Sequence, residues 1–230
     1  MKSLLSLLAL AAFTPEAPFN PFAPTAKEST PLSSRYQDCI SMIEEDVEIG
    51  RIAASQWVTG GGGAPAHHCL AIAELRAGFP KLAAVRLIDL TDRKDSGDGL
   101  IRARYLEQAS LAWLEAGEPE YALSTIQEAQ TLAPNSGELS LTAGLIFAKN
   151  ERWQATINSI DAAQAQGFKS VASFVARGNA HKALTKYRAA ANDVVAALSL
   201  DPFNLDALVL RGELQQLGIA IDANYQRAPE

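Results

Sequence analysis

Residues 103–136 read ARYLEQASLAWLEAGEPEYALSTIQEAQTLAPNS. The next two stretches, GELSLTAGLIFAKNERWQATINSIDAAQAQGFKS over 137–170 and VASFVARGNAHKALTKYRAAANDVVAALSLDPFN over 171–204, align with it at a shift of 34. Ala109, Ala143 and Arg177 stand in register, then Ser110, Gly144 and Gly178, then Trp113, Phe147 and His181. Ala122, Thr156 and Ala190 follow, then Ile126, Ile160 and Val194, then Ala129, Ala163 and Ala197. Pro134 and Pro202 share the last position, where the middle stretch has Phe168. Self-similarity at one period over three units marks a repeat array, whose units bury their apolar faces against one another.

Each unit reads as two helices. Leu106, Ala109, Ser110 and Trp113 recur at i, i+3, i+4 and i+7, which is one face of a helix. Gly117 and Pro119 then break the chain, because Gly opens a turn and Pro suits a first helical turn. Ala122, Ile126 and Ala129 mark the inner face of the second helix. Small residues at 110, 144 and 178 let the two helices approach closely, and the large residue three positions on fills the gap beside them.

This unit resembles the tetratricopeptide repeat (TPR), with its two-helix unit and its small, aromatic, small, Pro order. The resemblance covers 103–204. Thr156, Phe168 and His181 depart from it, and each departure is expected to weaken one packing position. The resemblance implies an all-α, right-handed superhelix of antiparallel helix pairs, non-catalytic, with the first helices lining a concave groove that takes a protein or peptide segment.

On either side the pattern thins. Leu208, Arg211 and Gly212 restart a first helix over 205–217, and no second helix follows, so this segment is expected to cap the stack with one solvated face. Residues 218–230 read as a frayed tail. Residues 35–99 read as a degenerate version of the array, with helices over 35–44, 46–59, 66–78 and 80–91, and 92–99 as a polar joint to the three repeats of 100–217. Gly60 to Gly63 run into Ala64-Pro65 and lack the Gly-Lys-Ser/Thr of a phosphate loop, so they read as a flexible connector.

Ahead of this, Lys2 and the apolar run Leu4–Phe13 have the form of a secretory signal, too short to span a bilayer. Residues 1–26 are assigned to that signal and the start of a Pro-rich spacer, with cleavage after Ala12 or Ala26, and 27–34 to a linker. The expected location is a bacterial periplasm, with no membrane span in the mature chain. Cys39 and Cys69 are the only cysteines. An even count in an exported chain suggests a bridge, and two buried thiols are the alternative.

The 230 residues include 41 alanines, few aromatics and a net charge of −6 with no basic run, which argues against nucleic acid. His67, His68 and Cys69 are metal-ligand types, but neighbours on a helix point about 100° apart, so packing is the reading and no metal or other cofactor is expected. The acids of 92–99 lack the spacing of a calcium loop. His181 takes the place of an aromatic packer, and no nucleophile elbow is present. An enzyme using His67 or His181 as a base is thus the weakest reading.

Mapped from the resemblance, the groove would consist of Arg104, Glu107, Leu111 and Leu114 in the first unit. Glu138, Leu141, Leu145, Ala148 and Lys149 follow in the second, and Ala172, Val175, Asn179 and Lys182 in the third. The positions that clamp a C-terminal carboxylate in chaperone-binding relatives are here Glu107, Leu111, Thr142, Ala172 and Ala176, which cannot do so. The units carry net charges of −4, 0 and +2 in order, a polarity able to orient a partner. The functional expectation is an interaction scaffold. The alternative is an accessory, chaperone-like factor in envelope protein assembly or cytochrome maturation. Oligomeric state is left open.

Overall fold

Four of the helices in the chain open on a side-chain cap set at the start of a repeat. In the computed structural model, which describes residues 31–221, Asp98, Ser136, Ser170 and Asn204 each accept from the backbone N–H of the third residue of the helix they begin. The helices they start are α5 (Gly99–Glu115), α7 (Gly137–Lys149), α9 (Val171–Ala183) and α11 (Leu205–Gln216). Between them run the second helices α6 (Pro119–Leu132), α8 (Trp153–Ala165) and α10 (Tyr187–Leu200). Upstream lie α1 (Pro31–Glu45), α2 (Val47–Thr59), α3 (Gly63–Arg76) and α4 (Pro80–Thr91). Among the described residues there is no strand, and no helix is long and apolar enough to cross a membrane. The readings made for residues 1–30, the leader and its spacer, and for 222–230 of the tail lie outside the described residues.

The repeat register is visible in the turns. Gly117, Glu151 and Thr185 are 34 residues apart, and all three have positive φ, at 75°, 55° and 58°. The turn between paired helices therefore demands a left-handed residue at the same place each time, and only the first unit supplies glycine there. Close helix contact is equally periodic. A Cβ on Gly144 would stand 2.5 Å from Ile160 Cγ1, so this position has room for hydrogen alone. Ala109, Ala122, Ala129, Ala143, Ala163, Ala190 and Ala197 are all fully buried at the helix crossings, which accounts for the alanine-rich composition.

The N-terminal helices pack into the same stack. Tyr36, Cys39, Ile43, Trp57 and Cys69 form one core cluster, and Leu87, Leu90, Tyr105 and Ala109 carry the core across to α5. A disulfide joins Cys39 of α1 to Cys69 of α3, with Cα atoms 6.5 Å apart. One sequence-based expectation is corrected here. The glycine run is no flexible connector: a Cβ on Gly62 would run into the Trp57 ring, and Gly61 and Gly63 take positive φ to turn the chain into α3. Residues 92–99, read as a polar joint, are held in place by two bonds. The Asp95 carboxylate accepts from the Ala64 N–H at 2.8 Å, and buried Ser96 donates to the Leu90 carbonyl, so this loop caps α3 from 31 residues away.

Candidate functional site

The first helices α5, α7 and α9 pack in succession along the array, and they carry the residues assigned to the groove row. Their charged members are engaged with one another. Arg104 donates to Glu107 at 2.7 Å and also pairs with Glu138 of the next unit. Glu107 accepts a second bond from Thr142 Oγ1 at 2.5 Å. Both central side chains are nearly covered, at 13% exposure for Arg104 and 10% for Glu107. Burial opposes the Arg104 charge, but the Glu107 and Glu138 carboxylates outweigh it and hold the guanidinium above its ordinary pKa. Lys182 of α9 likewise donates to Glu213 of α11 at 2.5 Å. Two staples thus tie neighbouring units, α5 to α7 and α9 to α11.

Arg104, Glu107, Glu138 and Lys182, expected as groove contacts, are each ion-paired within the chain, with Glu138 still 45% exposed. The apolar row remains open. Leu111 is exposed, and Leu114, Leu141, Leu145, Ala148, Val175 and Asn179 are half-buried. Ala172 is exposed, as is Lys149 at the rim. A row whose charged members are largely paired within the chain and whose leucines stay accessible suits burial of apolar surface.

Sequence reasoning missed a second polar cluster behind α9. Arg177 donates to Asp193 at 2.6 Å, to Asp161 at 2.5 Å and to Gln164 at 2.7 Å. His181 Nδ1 lies 2.9 Å from the other oxygen of Asp193, which is buried. His181 is thus a partner of a buried carboxylate and not a stand-in for an aromatic packer. The signal was present: Arg177 and His181 break the pattern four residues apart on one helix face, where one acid can meet both.

A third cluster lies under α1. Buried Tyr36 is 2.6 Å from His68 Nδ1, and His68 Nε2 is 2.8 Å from Gln108 Oε1. Because the amide oxygen only accepts, Nε2 carries the proton and Nδ1 accepts from the Tyr36 hydroxyl. Burial pushes the His68 pKa down to about 4, and the Gln108 bond opposes it only in part. The imidazole is neutral and structural. His67 lies 3.5 Å from an Arg93 nitrogen, and burial, followed by the Arg93 and Arg86 charges, lowers its pKa. Among the described residues neither His67 nor His181 shares a hydrogen bond with a hydroxyl or thiol, and no three His, Cys, Asp or Glu side chains gather as a metal site. A cleft of about 340 Å³ beside α1 and α2, lined in part by Cys39, Gln56 and Trp57, lies away from the groove.

Stacked antiparallel pairs with a shared concave row define a helical-repeat solenoid. No protein-family model matches the sequence, and no curated protein matches it significantly. Solved structures do. A tetratricopeptide repeat protein from Parabacteroides merdae aligns with a TM-score of 0.66 at 14% identity, over 81% of this chain and 73% of that one. YrrB, a TPR protein with an unusual peptide-binding site, aligns with a TM-score of 0.62 at 14% identity, over 77% of this chain and 90% of its own. A thermophilic TPR protein of Thermus thermophilus aligns with a TM-score of 0.53 at 18% identity, over 80% of this chain and 99% of its own. The chain has the tetratricopeptide-repeat fold.

Proposed function

We propose that the chain is a non-catalytic scaffold that holds an uncharged, apolar protein or peptide segment along the concave face of α5, α7 and α9. The carrying observation is the Arg104–Glu107–Glu138–Thr142 network, which leaves Leu111, Leu114, Leu141, Leu145 and Val175 as the available surface. A charged partner terminus would have to displace internal ion pairs, at a desolvation cost an apolar segment avoids. The peptide-binding site of YrrB supports the same use of the fold.

Export to a bacterial periplasm is part of this reading. It rests on the Leu4–Phe13 run and on the Cys39–Cys69 bridge, since such bridges persist in oxidising compartments. Mass spectrometry of the protein from an envelope fraction tests it. A shortened N-terminus with a two-dalton deficit is expected, and an intact Met1 with two free thiols would sink it.

For the groove, a photo-crosslinking residue is placed at Leu111 or Leu145 and, as control, at Leu82 on α4. Adducts from the two groove sites, abolished by Leu141→Glu and unaffected by Lys149→Ala, are expected. Equal labelling from position 82 would refute groove binding.

A further inference from the structure

The two ends of the Cys39–Cys69 bridge have different surroundings. Cys69, on α3, is fully buried, in one core cluster with the equally buried Ala66 and Ala73. Cys39, on α1, lines the cleft of about 340 Å³ that is walled by α1 and α2. Among the other lining side chains Arg35 and Asp38 are exposed, Met42 and Ala53 half-buried, and Trp57 buried. The lining thus passes from charged at the surface to apolar at depth. Arg35 is held there by its guanidinium, 5.0 Å over the Trp57 ring. The volume falls at the lower end of the roughly 300–1,000 Å³ of small-molecule sites, enough for a small thiol and too little for a folded domain.

We propose that Cys39 is a thiol-exchange site, reached by a small-molecule thiol through this cleft, and that exchange there releases α1 from α3. Exchange requires a thiolate to attack one sulfur while the other leaves. Attack on Cys39 Sγ forms a mixed disulfide at Cys39 and breaks the bond to Cys69. The electron pair goes to Cys69 Sγ, which takes up the proton that the incoming thiol gave away. A second thiolate attacks the outer sulfur of the mixed disulfide, and Cys39 leaves and is protonated in turn. Two thiols have become one disulfide, and the bridge has gained two electrons and two protons. Attack on Cys69 first would need α3 to open, because that sulfur is fully buried. Arg35 draws an anionic thiolate into the cleft, and Asp38 beside it opposes the entry.

The consequence lies at one end of the array. Once the bridge is open, α1 is held by packing on α2 and α3 and by bonds such as that between Tyr36 and His68 at 2.6 Å. The repeats from α5 onward contain no cysteine and keep their contacts.

The protein as the cell processes it is kept folded with reduced glutathione from about 1 to about 100 mM, quenched in acid and mapped by mass spectrometry. Loss of the bridge should rise in proportion to glutathione and run at least about tenfold faster than global unfolding in the same buffer. The first adduct should be on Cys39, with Cys69 a free thiol. Met42→Trp, which fills the cleft, should slow the reaction at least about fivefold with the circular dichroism unchanged, whereas Ser55→Trp on exposed α2 surface should not. Arg35→Gln should slow it and Asp38→Asn speed it, each about two- to threefold and less so at high salt. In the reduced protein the amides of α1 should exchange with solvent at least about tenfold faster, and those of α7 and α9 at an unchanged rate. A reaction that levels off at the unfolding rate, a first adduct on Cys69, or indifference to all three cleft substitutions would overturn the exchange site. Equal loosening of α1 and α9 would overturn the release of α1.

Discussion

His68 makes the N-terminal end of the stack acid-sensitive. Its ring is fully buried between Tyr36 and Gln108, and its pKa falls from the ordinary 6.5 to about 4. Burial also holds the Tyr36 phenol well above its ordinary range, so it remains a donor toward Nδ1. A proton added at Nδ1 would turn that nitrogen into a donor and reverse the bond to Tyr36, but the charge it puts on the ring is opposed by burial. The unfolded chain binds the proton below pH 6.5 and the folded chain does not until pH 4, so stability is lost as pH falls through that window. At about 1.4 kcal/mol per unit of separation, the loss between pH 7.5 and 4.5 is about 2–3 kcal/mol. Urea unfolding followed by tryptophan fluorescence, to which Trp57 of the same cluster contributes, reads the loss as a midpoint lower by about 1 M for a slope near 2 kcal/mol per M. His68→Gln keeps an acceptor for Tyr36 and a donor for Gln108 but does not titrate. Its midpoint should fall by much less over the same range. The carboxylates held down by ion pairing, Asp95 by Arg93 and Glu48 by Arg51, are common to both proteins and cancel in the comparison. Equal drops in the two proteins would refute the assignment.

Reducing the Cys39–Cys69 bridge, or replacing both residues with Ala, should cost on the order of 3–4 kcal/mol for a loop of this length, seen as an earlier unfolding transition by Trp57 fluorescence. The same repeat position should respond with opposite signs in two units. Gly144→Ala forces a methyl to within 2.5 Å of Ile160 and should destabilise by about 1–3 kcal/mol, whereas Gly212→Ala meets open space and should stabilise by about 0.5–1 kcal/mol, both by thermal melts. Thr185→Gly should add about 1 kcal/mol by relieving a β-branched residue held at φ 58°, measured by the urea midpoint.

The period was legible because every unit reuses the same crossings, and a residue that must be small at 110 must be small again at 144 and 178. The pairing among the residues mapped to the groove row was not legible. Whether Arg104 and Glu107 face a partner or each other depends on Glu138 and Thr142 in the next unit, and the 34-residue alignment does not reveal that contact. The N-terminal half hid its devices in longer separations. Gln108 lies 40 residues from the His68 it orients, and Asp95 lies 31 from the amide it caps. Neither pair leaves a periodic trace.

The departures from the repeat carry more than weakened packing. Thr156, in place of the usual alanine, is fully buried, and its hydroxyl bonds back to the Arg152 carbonyl at 3.2 Å, so no polar atom is stranded. Phe168 takes the place of the terminal proline and lies over Gly137, where a Cβ would come within 2.6 Å of its ring. Gly137 is itself unusual at a position filled by Ala103 and Val171 in the flanking units. Arg177 and His181 break two apolar positions and meet on Asp193, whose counterparts are Thr125 and Ser159. At Phe168 and at Arg177 with His181, the departure is answered by another where the fold brings the two together. The half-buried Arg177 without the acid at 193 would lose its buried partner, and a Phe at 168 without the glycine at 137 would clash. Departures in a repeat are therefore best read as sets, and the members of a set name a contact that the repeat alone does not contain.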